Sequence, residues 1–294
     1  MDYMIRGNLK NRPIRFFAIS AKETIEEMKK IHSTSPNACA CAGRSLMATA
    51  LIGYTMKNDD DIVTTILNCD GEIKKVTCTA NNRGEVKCDI INPNTNIYLN
   101  KEGKLDVKRI VGNGGLKVIK DIGLREPYVG ETNIISGEIA QDYTYYFAMS
   151  EQTPSVVSLG VLVDKENFDV MVAGGLIIQM MPNASEDDII YLENKVKELK
   201  YMTSILKEEP SLEKIIRQIF NDEELQISDK KDVKYKCNCS KEKIEKVVIA
   251  LGREELEDII NKDHEITLKC HFCGKEYHLD EKELTKLMGE AYNA

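Results

Sequence analysis

No stretch of the 294-residue chain approaches the ~20 consecutive apolar residues that a membrane-spanning helix needs, although 42% of its residues are hydrophobic. The opening segment, MDYMIRGNLKN, lacks the charged-then-apolar pattern of an export signal, so no signal peptide is expected. Basic residues are not in excess. Lys and Arg number 40 against 48 Asp and Glu, a net charge of −8, which disfavours a nucleic-acid binder because phosphate neutralisation needs a basic face. There is no internal repeat and no low-complexity tract. The hydroxyl-rich SEQTPS (150–155) has no histidine near it in sequence to activate a nucleophile. GNGGLKV (112–118) lacks the Lys-Ser/Thr of a phosphate loop and reads as a hairpin turn. No enzymatic constellation is found. The expectation is a soluble, cytoplasmic, non-enzymatic protein without a membrane or nucleic-acid partner, long enough for one large domain and a smaller one.

What is present divides into three segments. Residues 1–182 mix strand and helix patterns. IRFFAIS (14–20) reads as a strand, KETIEEMKKIH (22–32) as an amphipathic helix, and the Ala-, Leu- and Met-rich 37–56 as a buried helix. Alternating Val, Ile and Thr between Asp70-Gly71 and Arg83-Gly84 signal hairpins. Further strands follow, with a helix at 137–150. Strands clustered in hairpins predict an α+β class, with antiparallel-rich sheets and helices. Residues 183–235 form a helical linker. Ser185 and Asp188 mark a helix start. Ile189, Leu192, Val196, Leu199, Met202 and Leu206 make one stripe, and after Pro210 a second carries Leu212, Ile215, Ile216, Ile219 and Phe220. The polar 221–236 reads as a tether. Residues 236–294 form a small unit with short helices around a strand, a turn and a strand.

Nine cysteines are present. Four fall in this last unit, as Cys237-x-Cys239 and, thirty residues on, Cys270-x-x-Cys273. In a reducing compartment paired cysteines read first as metal ligands or redox switches. Cys-x-x-Cys-Gly-Lys between two strands resembles half of a zinc ribbon, with Gly274 permitting the tight backbone. Four thiolates at ~2.3 Å would close a tetrahedron around one zinc ion. A unit of this size draws only ~3–5 kcal/mol from its own core, whereas structural zinc contributes an apparent ~10–16 kcal/mol, so the metal decides whether the unit is folded. The plain alternative is a structural zinc ribbon. The Cys-x-Cys spacing argues for more, since a disulfide between near neighbours is strained and reducible and zinc holds sulfur as the thiolate that oxidants attack. Oxidation would expel the metal, unfold the unit and loosen the charged linker with its apolar stripes. A surface of that kind suits unfolded chains. His271 is expected exposed, His278 on a strand, and His32 as a cation at a helix carbonyl end.

The chain resembles the heat-shock protein 33 family of redox-regulated 33-kilodalton chaperones over nearly its whole length. The resemblance rests on SGEIAQDYTYYFAMSEQTPSVVSLGV (136–161), AGGLIIQMMP (173–182), CNCSKEKIEKVVIALGREEL (237–256) and CHFCGKEYHLDEKEL (270–284). It implies a two-layer amino-terminal domain, a helical linker and a zinc-binding redox switch with Cys237, Cys239, Cys270 and Cys273 as ligands. It also implies Cys237–Cys239 and Cys270–Cys273 disulfides on oxidation, nucleotide-independent holding of unfolding client proteins, and a homodimer when oxidised. Leu192, Val196, Leu199, Ile215 and Ile219 are the client-binding and linker candidates. Cys39 and Cys41 depart from the family's small non-thiol residues. Two positions apart on a helix, they face nearly opposite ways and cannot share a metal. They read as small core residues, as do Cys69, Cys78 and Cys88. Two other readings remain in view: a zinc-ribbon module for nucleic acid or protein, and a thiol reductase acting through Cys270 and Cys273. Residues 231–294 carry twelve basic and fourteen acidic side chains, a net of −2, against the nucleic-acid version. A reductase would want its pair at a helix start.

Overall fold

Side chains that alternate between faces every second residue build most of the amino-terminal unit. In the computed structural model, which describes residues 1–197, 201–221 and 223–292, strands β1 (Tyr3–Leu9) and β2 (Ile14–Ser20) lead into α1 (Lys22–His32) and α2 (Pro36–Tyr54). A meander of β3 (Ile62–Cys69), β4 (Lys75–Asn81) and β5 (Glu85–Ile90) follows, then α3 (Val107–Val111), β6 (Gly114–Asp121) and β7 (Tyr128–Asn133). Helix α4 (Ala140–Met149) precedes the long hairpin of β8 (Ser155–Val163) and β9 (Val170–Met180). Three helices come next, α5 (Glu186–Lys197), α6 (Met202–Glu208) and α7 (Leu212–Phe220), then β10 (Leu225–Asp232) and β11 (Lys234–Tyr235). The remaining elements are α8 (Lys241–Ile249), α9 (Arg253–Lys262), β12 (Glu265–Lys269), β13 (Glu276–Asp280) and α10 (Glu281–Tyr292). The fold is mixed α+β.

Two sheets organise residues Met1–Lys236. One has the order β10-β1-β2-β9-β8 and is antiparallel throughout; the other runs β11-β5-β4-β3-β6-β7 and is antiparallel except at β11 and β5. Helix α2 packs on β3, β4 and β5 of one sheet and β2, β8 and β9 of the other. Its Ala-, Cys- and Leu-rich sequence suits a helix enclosed on all sides. Of its residues only Arg44 reaches solvent, and it pairs with Glu138 at 3.1 Å. The opposite face of the five-stranded sheet carries Phe16, Ala18, Leu176 and Ile178, covered by Leu192, Met202, Leu206, Leu212, Ile215 and Phe220 from α5, α6 and α7. Gly174 makes that approach possible: a Cβ there would sit 2.2 Å from Leu206 Cδ1 and 2.8 Å from the Ile19 carbonyl oxygen.

Three local expectations are corrected. The apolar stripe from Ile189 to Leu206 is not one helix. Tyr201 has an extended backbone (φ −54°, ψ 133°) and precedes a separate α6. The spacing continues across the break because α5 and α6 bury side chains in one cluster on one sheet face. The polar 221–236 contains strands, not a tether. β10 pairs with β1 from Leu9↔Leu225 to Tyr3↔Asp232. It is an edge strand of alternating burial, and charged outward side chains are usual on edges. GNGGLKV is not a hairpin turn; Gly112 ends α3 and Gly114 opens β6.

The second unit, beginning at Cys237, has a small core. Val248, Leu256, Leu279, Leu284 and Leu287 are its buried hydrophobic cluster. They come from α8, α9, β13 and α10, around the β12–β13 hairpin.

Candidate metal centre

The hairpin is what aims two of the sulfurs. β12 and β13 pair from Glu265↔Asp280 to Lys269↔Glu276. The loop between them closes with the Cys270 N–H donating to the Lys275 carbonyl (2.9 Å) and the Gly274 N–H donating to the Cys270 carbonyl (2.8 Å). Gly274 adopts φ +71°, a left-handed conformation that a side chain would strain. Cys237 and Cys239 lie on the extended segment before α8, whose first turn is capped by the Ser240 hydroxyl accepting from the Lys243 N–H. The four Sγ atoms all lie within 4.8 Å of one another. Cys237 meets Cys270 at 3.6 Å, and Cys239 meets Cys273 at 3.4 Å. A tetrahedron with metal–sulfur bonds of ~2.3 Å has edges of roughly 3.8 Å, so this donor set can hold one metal ion. Four thiolates in tetrahedral array suit zinc. His271 is exposed and outside the cluster.

Electrostatics distinguish the sulfurs in the metal-free protein. Burial pushes the Cys237 thiol up to about 12, and neighbouring thiols add to this against a backbone hydrogen bond from Cys239. Burial acts upward on Cys239 too, but the Tyr277 hydroxyl, donating at 3.1 Å, and the other three sulfurs outweigh it and hold Cys239 at about 7. Cys273 is raised, chiefly by burial. A thiolate is thus favoured at Cys239 and disfavoured at Cys237 and Cys273, because neighbouring negative sulfurs repel one another without a cation. A divalent ion reverses that balance and makes thiolate the stable form at all four positions. Tyr277 escaped sequence reasoning. Its inward position on β13 was readable from strand alternation, but the direction of its hydroxyl was not.

Of the linker candidates, Leu192 and Ile215 are buried, and Val196 and Ile219 are partly buried on the same cluster. Leu199 lies outside the described residues. Ser185 and Asp188 cap one another, with Ser185 Oγ donating to Asp188 Oδ2 at 2.7 Å and accepting from the Asp188 N–H at 3.3 Å. Arg12 adds an ion pair to Asp188 at 2.8 Å. His32 departs from the cation expected of it: burial lowers its pKa and its Nε2 lies 3.3 Å from the Tyr235 hydroxyl. Among the described residues no helix is long and apolar enough to cross a membrane.

Comparisons with known proteins agree over nearly the whole chain. A family described as "Hsp33 protein" matches residues 2–280. A protein named 33 kDa chaperonin from Caldanaerobacter subterraneus subsp. tengcongensis is 42% identical over 293 residues, covering 99% of each chain. One of the same name from Clostridioides difficile is 42% identical and covers 98% of this chain and 99% of its own. The crystal structure of a 33 kDa chaperonin from Thermotoga maritima superposes with a TM-score of 0.89 at 30% identity, covering 99% of both chains.

Proposed function

The chain belongs to the Hsp33 family, and we propose that it is a holdase chaperone, independent of ATP, which oxidation switches on. The observation that carries this is the meeting of four sulfurs from two separate segments within 4.8 Å, in a unit whose own buried cluster has five hydrophobic side chains. Such a unit has little stability to spare without a cross-link. The reading assigns Cys237, Cys239, Cys270 and Cys273 as ligands of one zinc ion in the reduced state. Bound zinc would supply a cross-link between the half-sites and keep their sulfurs as thiolates.

The chain's own groups do the rest. Tyr277 donates to Cys239 and marks it as the first sulfur to meet an oxidant once the metal is loosened. Within each pair, Cys237 with Cys239 and Cys270 with Cys273, two thiols give up two electrons and two protons as one S–S bond forms, and each peroxide consumed becomes two waters. A disulfide cannot ligate as two thiolates do, so the metal leaves and the unit loosens. The reading divides the chain into a core at 1–182, a linker at 183–235 and a switch at 236–294. The stripe through Leu192, Val196, Leu199, Ile215 and Ile219 becomes the client surface when released, while a net charge of −8 keeps complexes in solution. Two released stripes can also cover each other, which makes a homodimer the expected oxidised form. The reading places the protein in the cytoplasm, with neither nucleic acid nor membrane as partner, and assigns it no catalysis.

The test is co-elution. A chemically unfolded client, diluted without nucleotide, should travel with the peroxide-treated protein on size exclusion and separate from the reduced, zinc-loaded protein. Equal capture by both forms removes the switch from the reading.

A further inference from the structure

Far from the four-sulfur cluster in sequence, a second pair of thiols stands opposed across two strands. Cys78 of β4 and Cys88 of β5 are direct register partners, and their Sγ atoms are 3.7 Å apart. Both are fully buried. The Cys88 N–H donates to the Tyr235 hydroxyl (3.1 Å), and that hydroxyl donates to the Cys88 carbonyl (3.0 Å). Both backbone groups of Cys88 therefore point toward β11 and away from Cys78. This makes Cys78 and Cys88 a non-hydrogen-bonded pair of the antiparallel ladder, the kind with Cα atoms ~4.5 Å apart and side chains closest. That spacing lies within the ~4.4–6.8 Å that disulfides span.

We propose that Cys78 and Cys88 are a second oxidation site, a dithiol that closes to a cross-strand disulfide under peroxide once β11 has left the edge of β5. Parallel pairing of β11 with β5 covers the hairpin edge: the Lys234 N–H donates to the Gly84 carbonyl (3.0 Å) and the Lys236 N–H to the Val86 carbonyl (2.8 Å). With β11 gone, β5 is the terminal strand of its sheet, and the N–H and carbonyl of Cys88 both lose the Tyr235 hydroxyl. Edge hairpins open more readily than interior strands. While the pair is enclosed, burial pushes the Cys88 thiol well above its ordinary range, which keeps it unreactive. The chemistry balances with hydrogen peroxide as oxidant. One sulfur takes an oxygen as the O–O bond breaks, and the other peroxide oxygen leaves as water. The second sulfur then displaces the sulfenic oxygen as a second water. Two S–H bonds are lost, one S–S bond forms, and two electrons pass from the dithiol to peroxide. The site requires no metal and none of residues 237–294, so it stands or falls apart from the proposed zinc switch. β11 nevertheless ends one residue before Lys236 and two before Cys237, so any event that pulls on that segment pulls on the cover.

The experiment uses the full-length reduced protein, a time course of hydrogen peroxide, alkylation of remaining thiols and peptide mapping without reduction. A peptide pair joined through Cys78 and Cys88 is expected to accumulate after the carboxy-terminal thiols are consumed. Tyr235→Phe removes the hydroxyl and leaves every thiol in place. The linked pair should form at least about fivefold faster in it, since one net hydrogen bond represents about that factor and the hydroxyl makes two to Cys88. Lys234→Pro, which deletes one ladder donor, should act in the same direction and stands in if the first variant misfolds. The proposal is overturned if Cys78 and Cys88 stay alkylatable, or oxidise separately to sulfinic acids, after the four carboxy-terminal thiols are exhausted. Linkage at the same rate in the wild type and in a folded variant removes β11 as the gate.

Discussion

The Tyr277 hydroxyl donates to the Cys239 sulfur at 3.1 Å, and this contact distinguishes one thiol of the cluster from the other three. In the metal-free protein Cys239 sits at about 7 despite burial, which acts upward. Its thiolate is therefore present above about pH 7 and lost below it. Tyr277→Phe removes the leading favourable contact and should move the midpoint upward. The rate of alkylation at Cys239 against pH, in protein stripped of metal, measures it. An unchanged midpoint would mean that the neighbouring sulfurs alone hold the thiolate.

Metal retention tests the ligand set. Losing even an outer-shell partner costs about 10–100-fold in metal affinity, so Cys273→Ser, which deletes a ligand, should weaken zinc binding by more than about 100-fold. Competition with a chromophoric chelator gives the number. Stoichiometric zinc held as tightly as in the wild type would take Cys273 out of the site.

Acid should weaken the contacts that hold α7 in place. Burial acts to raise the Glu213 carboxyl, but Lys230 at 2.8 Å, its own backbone N–H, the Tyr3 hydroxyl at 2.8 Å and the Ser211 hydroxyl outweigh it and hold it at about 2. A depressed carboxylate contributes stability above its unfolded value, near 4.5, and loses it as pH falls toward about 2. Glu213→Gln should lower stability at pH 7 and flatten the acid limb in that window, by a small amount because the group is partly in water. Urea unfolding at several pH values would reveal it. Parallel acid limbs for the two proteins would contradict the assignment.

Leu206 is the side chain that Gly174 makes room for, and it is 6% exposed. Leu206→Ala should cost about 2–5 kcal/mol, undock α6 and leave zinc content unchanged. The proposed function then requires the reduced variant to hold some client. If it stays inactive and its oxidised form matches wild type, the helices are spectators and clients bind elsewhere.

How much of this was legible in the residues differs by element. The four cysteines were legible because metal ligation constrains residue type and turn together, and Gly274 marks the turn. Buried α2 was legible because no face of its sequence is polar. The end of α5 was not, since Leu192 and Leu206 keep helical spacing although the backbone at Tyr201 is extended. β10 was hidden by its charges, which an edge strand directs outward. Cys78 and Cys88 could have been paired by counting outward from the Asn-Asn-Arg-Gly turn, which places 80 against 86 and 78 against 88. Nothing in periodicity, however, reports that the Tyr235 hydroxyl reaches back across 147 positions to Cys88.

The central claim is that the redox state of one sulfur cluster sets client holding. Light scattering from an aggregating client, measured with a single preparation that is reduced with zinc, then oxidised with peroxide, then reduced again with zinc restored, tests it most directly. The account predicts little suppression in the first state, strong suppression without nucleotide in the second, and a return toward the first in the third. Strong suppression in all three states, or in none, would contradict it.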